Sequence, residues 1–294
     1  MSRVDEALGR AAALAGTQPG TPLLPGHEFE PANTVDLWPA EAPAEEPVPE
    51  PHAIPVMQHF EPSAAPTEAD EKLVSRLLDS RSVEQYRRLA ARLHLVQAQR
   101  GTKVVMISSA LPGEGKTLTA ANIALTLSHS YKRRVLLIDG DLRRPWMHEL
   151  FNVPNVSGLN DGIRSQNGQK VPLIRWSECL TLLTAGRPDS DPMSVLSSDR
   201  MKQIVSEASA TFDWVVIDTP PVGLLSDAHL LAAIVDTVIL VVQAGRTPFH
   251  DINKAVQTLG PDSIFGVVLN RVNANNSYPY DDYYYSYAPK LLAE

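Results

Sequence analysis

Apolar runs alternate with amphipathic stretches along the C-terminal two-thirds of the chain. Six runs are apolar along nearly their whole length, at 103–108, 133–139, 180–184, 214–218, 237–243 and 264–270. The segments between them have helical spacing, and one opens at Pro192 and extends to about residue 210. Strands that are apolar throughout, separated by helices, are typical of a parallel sheet covered on both faces. We therefore predict an α/β fold with a mostly parallel, doubly wound sheet.

Charge and proline divide the chain into regions. Residues 11–71 contain eleven acids, twelve prolines and no Lys or Arg. Such a composition cannot bury enough apolar surface to offset the entropy of ordering, so we predict a disordered acidic linker over 15–71. Residues 72–294 carry a net charge of about +3. We predict a folded domain at 72–272, and its near-neutral charge gives no reason to expect a nucleic-acid partner.

The first fourteen residues predict a short helix. Ser2 and Asp5 resemble a capping box, and the apolar residues that follow fall on one helical face. A helix of this length is marginal alone, so a fraying terminus remains the alternative.

The last segment, 273–294, is predicted to be a flexible tail. It holds six of the chain's eight tyrosines, at Tyr278, Tyr280, Tyr283, Tyr284, Tyr285 and Tyr287. These rings either pack on a partner or serve as substrates.

The remaining composition favours a cytoplasmic protein. Cys179 is the single cysteine, which excludes an intrachain disulfide and fits a reducing compartment. No run approaches the roughly 18 apolar residues of a membrane span, and the N-terminus carries acids among its few apolar residues, so it does not resemble a signal peptide.

A phosphate-binding loop follows the first strand. The segment SALPGEGKT, 109–117, lies between a predicted strand and a predicted helix, which is the context that such a loop requires. Gly113 and Gly115 let backbone N–H groups close around phosphate oxygens. Lys116 would reach the β- and γ-phosphates, and the Thr117 hydroxyl would bind Mg²⁺. Ala110 replaces the first glycine of the general pattern, but the context still predicts a P-loop NTPase.

Three aspartates lie where predicted strands end. Asp139 and Asp141 follow one buried strand and Asp218 ends another, so their side chains should meet at one edge of the sheet. Together with Thr117 they offer an all-oxygen environment that suits Mg²⁺. One carboxylate could also accept a proton from an incoming hydroxyl. Taken singly, each aspartate could equally be a helix cap or an ion-pair partner.

These motifs resemble the Walker A, Walker A′ (VLLIDGDLRRP) and Walker B (WVVIDTPP) motifs of the bacterial tyrosine kinases of the capsular exopolysaccharide family. The N-terminal MSRVDEALGRA is similar to the members that accompany exosortase-linked polysaccharide loci. The resemblance implies an ATP- and Mg²⁺-dependent tyrosine autokinase that regulates exopolysaccharide synthesis and export. Asp141 would be the base for the tyrosine hydroxyl. The resemblance implies that the catalytic residues are Lys116, Asp139, Asp141 and Asp218, and that Mg²⁺ is held by Thr117, Asp139 and Asp218. It implies that ATP is bound by Gly113, Glu114, Gly115, Lys116, Thr117, Leu118 and Asn270. Of these, Asn270 would contact the adenine.

The resemblance also implies partners. The family's E-x-x-R-x-x-R helix joins subunits into a ring, and Glu84, Arg87 and Arg88 resemble it, although Ala90 departs from the pattern. Glu84 and Arg88 could instead form an ordinary i,i+4 pair on a solvated helix. A separate transmembrane adaptor of the polysaccharide co-polymerase type would recruit the kinase to the inner face of the membrane, and a tyrosine phosphatase would oppose it.

The position of the tail favours substrate tyrosines. The last strand ends near Asn270, at the edge of the sheet where ligands bind. From Val272 to Tyr287 is fifteen residues, which reach roughly 50 Å when extended. We therefore expect phosphorylation in trans. Two alternatives stay open: an ATPase switch of the Min or partitioning type, whose loop usually has a lysine where this chain has Leu111, and a scaffold that holds ATP without transferring phosphate.

Overall fold

The computed structural model describes residues 57–59, 73, 80–164, 171–222 and 227–272. The chain divides into two units, 1–48 and 49–294, and all described residues belong to the second. The predictions of a helix at 1–14 and of a flexible tyrosine tail at 273–294 lie outside the described residues. The strands are β1 (Met57–His59), β2 (Val104–Ser109), β3 (Val135–Asp139), β4 (Leu173–Arg175), β5 (Leu180–Leu183), β6 (Trp214–Asp218), β7 (Thr237–Gln243) and β8 (Ile264–Asn270).

Helices connect most of these strands, and β4 leads to β5 without a helix. The helices are α1 (Ser80–Arg100), α2 (Lys116–Ser130), α3 (Met147–Phe151), α4 (Leu159–Arg164), α5 (Pro192–Leu196), α6 (Asp199–Thr211), α7 (Asp227–Ala232) and α8 (Phe249–Leu259), with a 3₁₀ turn at Pro261–Ser263. The described residues contain no helix that is both long enough and apolar enough to span a membrane.

The strands form one sheet in the order β1-β4-β5-β3-β6-β2-β7-β8. The six predicted strands all run parallel, whereas β4 is antiparallel to β5 and β1 is parallel to β4. The central strands β2, β3 and β6 are buried along their whole length. Alternate residues of these strands enter two apolar cores, one on each face of the sheet, which is why their sequences are apolar at every position.

Two predictions about local structure need correction. Strand β1 lies inside the segment 15–71, so the prediction of a disordered linker does not hold for Met57–His59. Strands of three residues carry too little pattern to be predicted, because pairing with a neighbour rather than their own sequence defines them. The helical region from Pro192 to about residue 210 is two helices. Ser197 follows the end of the first helix, and Ser198 caps the second by accepting a hydrogen bond from Met201 N at 3.2 Å.

Candidate active site

The loop between β2 and α2 has the backbone that its glycines predict. Gly113 and Gly115 have φ values of 79° and 94°, in the left-handed region that favours glycine. Helix α2 begins immediately afterwards, at Lys116. The first N–H groups of a helix have no intrahelical acceptor, and the helix dipole favours negative charge there. This arrangement therefore provides donors for an anionic group such as a phosphate.

Glu114 holds this loop from the inside. Glu114 is 2% exposed, and its Oε2 accepts a hydrogen bond from Leu111 N at 2.7 Å. Its Oε1 accepts one from Gln243 N at 3.2 Å and another from the Thr247 hydroxyl. The carboxylate thus ties the loop to the end of β7. The side chain of Glu114 is a structural part of the loop, and a nucleotide would meet this residue through its backbone.

Asn270 lies against the same loop from the end of β8. Its Nδ2 donates to the Glu114 carbonyl at 2.8 Å, and its Oδ1 accepts from Arg271 N at 2.8 Å. A Cβ added to Gly115 would lie 2.2 Å from that Nδ2. Both amide atoms are engaged by the chain itself, so contact between Asn270 and adenine stays a prediction.

Asp139 and Asp218 lie side by side at the carboxyl ends of β3 and β6, where they are paired in register. Asp139 accepts hydrogen bonds from Asp141 N at 3.1 Å and from Met147 N at 3.2 Å. Asp218 is 1% exposed, and its Oδ1 is buried without any hydrogen-bond partner among the described residues. An orphaned carboxylate oxygen is costly unless something occupies it, so this atom marks a position for a cation or a donor.

Burial sets the protonation of this pair. Burial, followed by the charge of Asp218, raises the pKa of Asp139 to about 8. Burial also raises the pKa of Asp218 to about 6, although Lys116 and a hydrogen bond from Thr117 lower it. Two adjacent carboxylates that resist ionisation together fit a divalent cation, which would compensate both charges. Thr117, Asp139 and Asp218 are therefore suitable oxygen ligands for Mg²⁺.

Lys116 forms an ion pair with Asp141. The Nζ–Oδ2 distance is 3.2 Å, and the two side chains are 15% and 8% exposed. Burial by itself lowers the pKa of Lys116, but the surrounding aspartates outweigh it and the pKa lies above its ordinary value. Lys116 is therefore a charged ammonium group at the mouth of the loop.

The structure brings together Lys116, Thr117 and the three predicted aspartates. The sequence-based expectation of a joint three-carboxylate environment is too simple, however. In the described part of the chain, no group of three or more His, Cys, Asp or Glu side chains is arranged to hold a metal ion. Asp139 and Asp218 are paired in register, whereas Asp141 forms the ion pair with Lys116.

The predicted oligomer residues lie on α1. Glu84 contacts Arg87 at 3.9 Å and Arg88 at 3.6 Å within the same helix, and all three side chains are at least 41% exposed. The structure thus contains the intrahelical pair that the sequence left as an alternative. A role in a subunit interface stays a prediction.

Known proteins resemble this chain in sequence and in structure. The sequence of residues 105–287 matches the protein family described as the CobQ/CobB/MinD/ParA nucleotide binding domain. The chain is 35% identical over 202 residues to the tyrosine-protein kinase YwqD of Bacillus subtilis (strain 168), an alignment that covers 67% of this chain and 85% of YwqD. It is 33% identical over 203 residues to the putative tyrosine-protein kinase CapB of Staphylococcus aureus, covering 67% and 88% of the two chains.

The chain belongs to the bacterial tyrosine-kinase family. The predicted resemblance to that family is therefore confirmed. The kinase domain of the Escherichia coli tyrosine kinase ETK superposes with a TM-score of 0.59 and 29% identity, covering 67% of this chain and 79% of that one. The MinD protein of Pyrococcus horikoshii OT3 complexed with Mg-ADP superposes with a TM-score of 0.50 at 24% identity, which supports the P-loop fold alone.

Sequence reasoning missed several residues that shape this bacterial tyrosine-kinase site. Gln243 and Thr247 hold Glu114, and the backbone of Val222 donates to Ser109 O at 2.8 Å, tying the segment after β6 to the end of β2. No local pattern marks these residues, because each acts through a contact with a distant part of the chain.

Proposed function

We propose that this bacterial tyrosine kinase transfers the γ-phosphoryl group of ATP to tyrosines of its own C-terminal segment. The observation that carries the proposal is the orphaned, buried Oδ1 of Asp218 beside Asp139, next to a phosphate-binding loop that ends in Lys116 and Thr117. The chain is similar to YwqD and CapB over most of their length, and these are named a tyrosine-protein kinase and a putative tyrosine-protein kinase.

Each residue has a role in this transfer. The N–H groups of the loop and the Lys116 ammonium would bind the phosphates. Thr117, Asp139 and Asp218 would hold Mg²⁺, which would supply positive charge to neutralise the phosphate oxygens. The γ-phosphoryl group leaves the terminal oxygen of ADP and bonds to the phenolic oxygen. Asp141 accepts the phenol proton. Because Asp141 pairs with Lys116 in the structure, Lys116 must turn from this carboxylate towards the phosphates before Asp141 can act as a base.

The acceptor is a tyrosine of a second copy. The described part of the chain ends at Val272, two residues after β8 and at the carboxyl edge of the sheet. The fifteen residues from Val272 to Tyr287 could span at most roughly 50 Å, which is enough to reach a neighbouring site. The subunits would form a ring through Glu84, Arg87 and Arg88, in which the intrahelical pairs of Glu84 would be exchanged for pairs between subunits.

We infer the cellular setting from the resemblance to the family. A separate transmembrane adaptor would bring this kinase to the inner face of the membrane, and a tyrosine phosphatase would reverse the modification. Phosphorylation of the tail would regulate synthesis and export of an exopolysaccharide. Six phosphotyrosines would add on the order of −9 to −12 charge near pH 7, which would push the tails and subunits apart.

Intact mass of the purified full chain tests the transfer. The wild type, incubated with ATP and Mg²⁺, should gain successive phosphate increments on the tail, and Lys116→Met should gain none. In a mixed reaction, a full chain with its six tail tyrosines replaced by phenylalanine should phosphorylate the Lys116→Met chain. ATP hydrolysis without phosphate on any tyrosine would instead identify an ATPase switch and refute the proposal. Labelling of the wild type without labelling of the Lys116→Met partner would refute transfer in trans.

A further inference from the structure

Two exposed arginines stand at the edge of the candidate active site. Arg144 lies three residues after Asp141, and its backbone N donates to Asp141 Oδ1 at 3.1 Å. Arg187 lies in the loop after β5, where Asp189 N donates to Leu142 O at 3.2 Å and so joins that loop to the segment beside Asp141. Both arginines are exposed. The fold therefore brings two cations from distant parts of the sequence to one rim.

The loop that carries Arg187 is held in place by its backbone. The amide of Asn155 donates to Gly186 O at 2.7 Å and accepts from Gly186 N at 2.8 Å. Asn160 Nδ2 donates to Arg187 O at 3.1 Å. Gly186 has a φ of 80°, which its lack of a Cβ permits. Arg187 is thus presented from a fixed loop.

The acidic side chains of this rim already have partners. Asp189 binds Arg164 through both oxygens, at 2.7 and 2.8 Å. Asp161 accepts from Gly158 N at 2.8 Å, and Asp191 caps α5. Neither the Arg144 nor the Arg187 guanidinium has a hydrogen bond or ion pair within the described ranges. The rim consequently presents two guanidinium groups that have no ion-pair partner in the described part of the chain.

The tyrosine segment of the chain has complementary charge. Asp281 and Asp282 lie between Tyr280 and Tyr283, and no Lys or Arg occurs from residue 272 to residue 289. The phosphoryl-transfer site itself is rich in carboxylates, which would repel an acidic acceptor. An acidic tyrosine segment therefore needs positive charge next to the site in order to bind there.

We propose that Arg144 and Arg187 select the acceptor by binding the acidic residues that flank its tyrosines. In the tail of a second copy these are Asp281 and Asp282. The inference rests on the proposed kinase function and adds to it a substrate class, tyrosines next to carboxylates. Other protein substrates of this kinase would carry the same acidic flank.

Steady-state kinetics with an acceptor peptide test the selection. The acidic peptide has the sequence of Ser277–Tyr287. A second peptide, the Asn peptide, is identical except for Asp281→Asn and Asp282→Asn. The enzyme is the full chain with its own tail tyrosines replaced by phenylalanine, so that the peptide is the acceptor that is measured. Exposed ion pairs contribute modestly, so KM for the Asn peptide should rise about three- to thirtyfold, with little change in kcat. High salt should shrink the difference.

Variants of the rim separate this effect from general damage. Arg144→Gln with Arg187→Gln should raise KM for the acidic peptide to that of the Asn peptide and leave KM for ATP unchanged. Arg100→Gln is the matched control, because Arg100 is an exposed arginine at the end of α1, next to the opposite edge of the sheet. The Arg100→Gln chain should keep the lower KM for the acidic peptide. Arg144→Glu with Arg187→Glu should favour a peptide with Asp281→Lys and Asp282→Lys.

Binding measured without transfer distinguishes the two proposals. Fluorescence anisotropy of the labelled peptides with the Lys116→Met chain should show the same preference for the acidic peptide. Transfer without any preference would overturn the selection and leave the kinase function standing. If the Lys116→Met chain prefers the acidic peptide but the active chain transfers no phosphate to it, the selection would stand and the kinase function would be overturned. A rise in KM for ATP in the arginine variants would assign the rim to the nucleotide and overturn the inference.

Discussion

Replacing Glu114 by alanine would remove the carboxylate that holds the phosphate-binding loop. The buried side chain accepts hydrogen bonds from Leu111 N, Gln243 N and the Thr247 hydroxyl. A hydrogen bond to a charged group contributes about 1.5–3 kcal/mol, and such losses within one network are not additive. We therefore expect Glu114→Ala to lower the free energy of unfolding by about 3–5 kcal/mol.

Glu114→Gln should cost less, because its amide oxygen still accepts from two donors. Its NH₂ group would then face the N–H of Leu111, and two opposed donors leave a buried group unsatisfied at a cost of about 1–3 kcal/mol. The expected order of unfolding free energies is wild type, then Gln, then Ala.

Guanidinium denaturation, read by linear extrapolation, measures these differences. Glu149→Ala is the matched control, since that side chain is 67% exposed and contacts His148 at 3.6 Å. Its change should stay within about 0.5 kcal/mol. A loss below about 1 kcal/mol for Glu114→Ala would refute the reasoning, because it would mean that the three donors find other acceptors at little cost.

Three further predictions concern the loop, the carboxylate pair and α1. Gly115→Ala should weaken ATP binding in a calorimetric titration and destabilise the chain more than Gly101→Ala, which shares a positive φ but has open space around its Cβ position. Because the pKa of Asp139 is raised to about 8, its contribution to stability is present below its ordinary pKa and is lost as pH rises towards 8. The unfolding free energy of Asp139→Asn should therefore rise relative to that of the wild type as pH increases from about 5 to about 9. Mg²⁺ should reduce this difference. A difference in unfolding free energy that does not change with pH would contradict the raised pKa. Glu84→Lys should change unfolding free energy by less than about 1 kcal/mol but reduce the mass of any assembly in native mass spectrometry, and an unchanged assembly would exclude that helix from the interface.

Local pattern was enough to identify the central sheet. The runs that became β2, β3, β5, β6 and β7 are apolar at nearly every position, because helices cover both faces of this part of the sheet. The run that became the edge strand β8 is also apolar, although Val267 and Leu269 are exposed there. The glycines of the phosphate-binding loop could also be predicted, since their left-handed backbone is a local requirement that few other residues meet. Aspartates at the ends of parallel strands were expected to meet at one edge, and Asp139 and Asp218 do so in register.

Contacts between distant segments decided the rest. Nothing near Glu114 in the sequence indicates that its carboxylate turns inward to Gln243 and Thr247, more than a hundred residues away. The ion pair of Lys116 with Asp141, and the rim that joins Arg144 to Arg187, likewise depend on how loops from different strands pack. The short strands β1 and β4 exist through their pairing rather than through any pattern of their own. Periodicity and loop chemistry are properties of neighbouring residues and can be read along the chain, whereas burial, ion pairing and raised pKa values arise when the fold removes water from groups that the sequence keeps apart.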